Sequence, residues 1–144
     1  MEQNSNAIYV EKRSSGWKKY LGIILLIILL VFGGIFYWRY YYVFGEGVKA
    51  GQLNYLVKKG YIFKTYEGKL IQSGFRGGAP GSIQSYEFEF SVEDSKVADT
   101  LMLNSGKVFE LHYKEYMGTL PWRGHTKFIV DKIINMKAAP TSNY

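Results

Sequence analysis

The chain carries two histidines, His112 and His125, and no cysteine. Without thiols, disulfides, cysteine-ligated zinc and iron–sulfur sites are excluded. His112 shares the Glu110 and Lys114 face of KVFELHYKEYM, the wet side of an alternating strand. His125 follows Trp122 and Arg123 in a loop. Neither has a carboxylate at metal-ligand spacing, so both read as surface or hydrogen-bonded structural residues. Glu87 and Glu89 project the same way, and exposed alternation explains them without acid–base catalysis. Gly45-x-Gly47-x-x-x-Gly51 is one residue too long for the dinucleotide fingerprint and follows an apolar run, not a strand. Arg76-Gly77-Gly78-Ala79-Pro80-Gly81-Ser82 lacks the Gly-Lys-Ser/Thr of a phosphate loop. What remains is binding chemistry. Arg76 beside Phe75 could meet an anion or a ring. Tyr113, Tyr116 and Trp122 could form a stacking platform for single strands or sugars, with Arg123 and His125 beside it. Packing in a core and its rim explains the same rings. The residues give no catalytic, cofactor or metal assignment.

These side chains must be positioned by elements on either side of one apolar run, Leu21 to Trp38, which has 18 residues and no charge. At 1.5 Å per residue it reaches about 27 Å. Tyr20 to Tyr42 reaches roughly 33 Å, enough to cross a hydrocarbon core with modest tilt. Trp17 and Tyr20 at one end, and Tyr37, Trp38 and Tyr40 to Tyr42 at the other, suit the two headgroup zones. Residues 17–42 therefore read as a membrane span. The run is too long for a cleaved signal peptide and ends in IFYWRYYYV with no small-x-small site, which predicts an uncleaved signal anchor. Lys12, Arg13, Lys18 and Lys19 crowd the N-terminal flank, against Arg39 and Lys49 on the other side. That bias predicts a cytoplasmic N-terminus and an extracytoplasmic tail. The expected localisation is the inner membrane, single-pass, with a periplasmic domain. Residues 1–16 are polar, with no apolar face, and predict a disordered head.

The tail from Phe44 carries 13 Lys and Arg against 10 Asp and Glu, so its excess is about half of the formal +6. Basic residues beside a span report topology, so the sequence pI near 9.4 is no argument for nucleic acid. Strands are expected at 48–57, 61–72 (with Gly68 as a bulge or bend), 85–92, 107–117 and 127–136. Ser85–Val92 alternates most clearly, with Tyr86, Phe88, Phe90 and Val92 against Glu87, Glu89 and Ser91. Glu93–Leu103 changes period, with acids leading and Val97 and Leu101 spaced i, i+4, which predicts a helix. A helix between strands three and four of five suggests an OB-like barrel over 43–137; the alternative is an open α+β sheet with one packed helix. Residues 138–144 are expected to fray.

The pattern Glu46-Gly47, Gly51-Gln52-Leu53, Lys58-Lys59-Gly60 and Lys64-Thr65-Tyr66-Glu67-Gly68 after a span resembles small single-span membrane proteins of Bacteroidota, often labelled 6-phosphogluconate dehydrogenase. The resemblance covers most of 44–137. It implies an envelope protein and carries over no catalytic residue. The dehydrogenase label has no support here, because the fingerprint, the strand–helix alternation and the length for two such domains are all missing. The expected role is non-enzymatic. The domain would be a protein-interaction or assembly module of the cell envelope, with the bilayer and another envelope protein as partners. The alternative is an OB-type module for oligosaccharide or peptidoglycan, or for nucleic acid if the topology were reversed.

Overall fold

A run of apolar side chains with no polar face has no reason to favour one side of a helix, and helix α1 (Trp17–Tyr40, 24 residues) buries none of its residues. The computed structural model describes residues 16–72 and 86–139. With a mean hydropathy of 2.7 over its best window, α1 is long and apolar enough to cross a membrane. Rings stack along its C-terminal end, Tyr37 on Tyr41 at 6.0 Å and Trp38 on Tyr42 at 5.1 Å between centroids. The chain divides into two compact units, Met1–Ile35 and Phe36–Tyr144, so the last turn of α1 belongs with the β domain.

The β domain is a five-stranded, mainly-β sheet with a second helix. Its strands are β1 (Val43–Lys59), β2 (Thr65–Gln72), β3 (Tyr86–Val92), β4 (Val108–Tyr116) and β5 (Phe128–Lys137). Helix α2 (Ser95–Leu103) lies between β3 and β4. The pairings run β1-β2-β3-β5-β4 and return to β1, closing a barrel. Strand β1 makes closure possible because it serves two neighbours. Val43–Gln52 pairs antiparallel with β4, and Gln52–Lys59 pairs antiparallel with β2. At the changeover Gly51 is needed, since a Cβ there would lie 2.9 Å from the Ile71 carbonyl oxygen. A register shift between Leu53 and Tyr55 adds the local twist that lets one strand bend between two partners. The β3–β5 contact is parallel and short, with only Ser91↔Ile129 and Val92↔Val130 paired.

The core is built from the inward members of these alternations: Leu53, Leu56, Leu70, Phe88, Phe90, Val92, Phe109, Leu111 and Val130, closed by Ala98 and Leu101 of α2. Asp94 caps α2, its side chain accepting from the Lys96 amide at 2.8 Å.

Three sequence expectations change here. The first strand starts at Val43, five residues earlier than alternation suggested, because its glycine-rich half is held by β4. The second starts at Thr65 instead of Tyr61. Gly68 is not a bulge: it pairs regularly with Leu56 and Phe90, and a Cβ would fall 2.6 Å from both of those side chains. The missing side chain is what lets two large residues meet across β2. The expected disordered head (residues 1–16) lies outside the described residues but for its last, and so does most of the expected frayed end.

Candidate functional site

Glu67 shares a β2 face with Thr65, opposite Tyr66, Gly68 and Leu70. It is 5% exposed. Its carboxylate accepts from Thr65 Oγ1 at 2.7 Å, Ser91 Oγ at 2.6 Å and the His125 amide at 3.0 Å. Ser91 is wholly buried because the chain between β4 and β5 lies on it. A Cβ on Gly124 would come within 2.3 Å of Ser91 Cβ, and the Thr126 amide donates to Ser91 Oγ at 3.1 Å. Ser91 had read as an outward, wet residue of β3. The covering loop, which alternation does not reveal, buries it. The cluster has a carboxylate and two hydroxyls, but the nearest histidine contributes only its backbone amide. With Ser91 at 0% exposure, no substrate reaches the hydroxyl. The chemistry is adhesive: a buried anion that three donors satisfy fixes loop 117–127 to the sheet.

The same loop holds the entrance of the domain. Arg123, 6% exposed, donates from Nη1 to the Tyr40 carbonyl at 2.7 Å and from Nη2 to the Gly118 carbonyl at 3.2 Å. Its guanidinium lies 3.7 Å over the Tyr116 ring. The Tyr40 carbonyl is the last of α1, and a cation there satisfies an acceptor that has no intrahelical partner.

Where β3 and β5 part, a groove of about 540 Å³ opens, lined by Lys49, Glu87, Phe88, Glu89, His125, Thr126, Lys127 and Phe128. Among the described residues, Tyr86–Phe90 has ladder partners on its β2 side only. Inside the barrel mouth Phe88, Tyr113 and Phe128 pack together, with centroids 5.2–5.6 Å apart. Lys49 Nζ stands 4.2 Å from the Phe88 centroid. Outside, Lys69 bridges Glu87 at 2.7 Å and Glu89 at 3.1 Å. Hydrogen bonds to Glu87 and then Glu89 raise the Lys69 pKa.

A second opening, about 670 Å³, lies between loop 60–64 and the β4–β5 loop, lined by Lys59, Gly60, Tyr61, Ile62, Phe63, Pro121 and His125. Phe63 meets Trp122 edge to face at 6.0 Å. Tyr61 is fully exposed and Ile62 is 88% exposed. Sequence reasoning missed this tip because Tyr61-Ile62-Phe63 has strand composition. The signal was Gly60: its φ of +141° breaks the strand, and a Cβ would collide with the Phe63 carbonyl.

The sequence-chosen residues thus go to different places. Tyr113 packs in the barrel mouth, Tyr116 lies under Arg123, Trp122 meets Phe63, and His125 borders both openings. Phe75 and Arg76 lie outside the described residues. His112 Nδ1 meets Asp131 Oδ1 at 2.6 Å, with Lys114 on the other oxygen at 3.3 Å. Among the described residues no three His, Asp or Glu side chains gather as a metal site. In comparisons with known proteins, no family model, no curated protein and no solved structure matches this chain.

Proposed function

We propose that this is a non-enzymatic, single-pass inner-membrane protein whose β domain is an OB-type barrel. The domain would serve as a protein-interaction or assembly module on the periplasmic side, in an envelope protein of the Bacteroidota type. The closed strand order, with α2 between β3 and β4, supports the OB reading. The excess of Lys12, Arg13, Lys18 and Lys19 over the opposite flank supports the orientation.

One observation carries the binding role: the one-sided ladder of Tyr86–Phe90 facing the groove. Unpaired strand edges invite another chain, and an extended segment added there would find backbone partners along β3. Lys49, Lys127, Glu87 and Glu89 along the groove would select its side chains. The pocketed serine and carboxylate, already committed to one another, favour binding over turnover.

The test is site-specific photocrosslinking in native membranes, with the probe at Glu89 or Lys127. A discrete envelope-protein adduct from these two sites, absent from a probe at Leu103, is the expected result. Adducts to glycan strands would favour the oligosaccharide reading instead. No adduct at either site removes the groove from consideration.

A further inference from the structure

We propose that the tip of loop 60–64, together with Trp122, is a second membrane contact that seats the β domain in the headgroup zone of an anionic bilayer. The proposal needs α1 to lie in a membrane and is independent of what the β3 groove binds.

Four observations meet at this tip. Tyr61, Ile62, Phe63 and Trp122 form one apolar and aromatic patch drawn from two loops, with Phe63 and Trp122 in ring contact. Isolated exposed apolar residues are ordinary on a soluble surface; a patch of this make-up is not. The patch is built outward, since Gly60 at φ +141° holds a tight turn that leaves Ile62 no interior to fold into.

Its electrostatics suit phosphate headgroups. Lys58, Lys59 and Lys64 are all exposed and bracket the tip. No Asp or Glu occurs from Asn54 to Tyr66 or from Met117 to Lys127. The neighbouring carboxylate, Glu67, is buried and held by three donors. Exposed aromatic rings flanked by lysines are the composition of interfacial segments, in which rings enter the headgroup layer and ammonium groups meet anionic lipid.

Lipid is also within reach. Arg123, the residue after Trp122, is bonded to the Tyr40 carbonyl. Tyr40 stands in the aromatic belt that ends the span. Trp122 is therefore the sequence neighbour of a residue bonded to the last turn of the span. A protein partner would need acidic groups to answer three lysines, and would have to fit beside a lipid surface already doing so.

The cysteine-free chain makes the test direct. An environment-sensitive fluorophore is placed on Ile62→Cys in the full-length protein, reconstituted in nanodiscs of mixed zwitterionic and anionic lipid. Leu103→Cys, at a site 85% exposed, is the reference. The expected result is blue-shifted emission at position 62 and quenching by spin-labelled lipid several-fold stronger than at 103. Both effects should shrink when Lys58, Lys59 and Lys64 are changed to Gln or when anionic lipid is left out. All these positions are exposed, so the fold is not at stake. Equal behaviour at 62 and 103 overturns the proposal. So does a signal at 62 that ignores the lysines and the anionic lipid. A signal that arises only after membrane proteins are added overturns it too, and assigns the tip to a protein.

Discussion

Glu67 shows how much one side chain can organise from inside. Its three donors come from β2, β3 and the β4–β5 loop, so one carboxylate ties together segments distant in sequence. Removing it leaves the Thr65 hydroxyl and the His125 amide without this acceptor, and Ser91 Oγ with only Thr126 Oγ1, at 2.9 Å, to turn to. Glu67→Ala should therefore cost about 1–3 kcal/mol in the denaturation of the full chain in detergent. Adding Ser91→Ala to it should cost less than the sum of the two single changes, because orphaned donors cost more than absent ones. Additive losses would show that Ser91 and Glu67 are energetically independent. None of this was legible in the sequence. Nothing in the residue pattern singles out Glu67, and only the loop folded over it makes it interior.

The strands themselves were legible where alternation was strong and illegible where a single backbone angle decided. In β3, Phe88, Phe90 and Val92 pack into the core while Glu87 and Glu89 meet water; Tyr86, expected on the inner face, lies beyond the core and is exposed. Tyr61-Ile62-Phe63 has equally good strand composition, yet Gly60 turns it into a loop. Between β4 and β5 the ladder shifts register at His112/Tyr113, and Asp131 sits there holding His112 and Lys114. Burial alone would raise the Asp131 pKa; hydrogen bonds from His112 and Lys114 outweigh it and lower the value. The bond to Asp131 raises Lys114. A lowered carboxylate contributes stability that is complete above its unfolded value, about 3.9, and is lost as pH falls through the folded value. The raised lysine contributes below its unfolded value, about 10.4, and loses its share as pH climbs through the folded one. Asp131→Asn should lower stability by under about 1 kcal/mol at neutral pH and flatten both limbs of a melting-temperature profile. Unchanged limbs would mean that the bridge is absent in solution.

At the scale of the whole molecule, the apolar stretch and the five strands with one helix could be read from residue types alone, because hydropathy and period are local properties. The element order also suggests a barrel, but not how it closes: closure depends on β1 being long enough to reach two neighbours, and its first half is too rich in glycine to announce itself. The orientation proposed above has a simple check. With a C-terminal epitope on the full-length protein, proteinase K added to spheroplasts should remove the tag while a cytoplasmic marker survives. Tag protection until lysis would place the β domain inside the cell.

The sharing of β1 between β2 and β4 also dictates an order of events at the ribosome. The first strand to emerge must wait for its second seam, since its partner β4 is made only after β2, β3 and α2, and β5 must still follow to complete the ring. A nascent chain stopped before β5 holds exposed seams and no alternative way to cover them. Folding of this domain should thus wait for β5 and be governed by long-distance closure. Truncated products would be material for proteases, not shorter versions of the same machine.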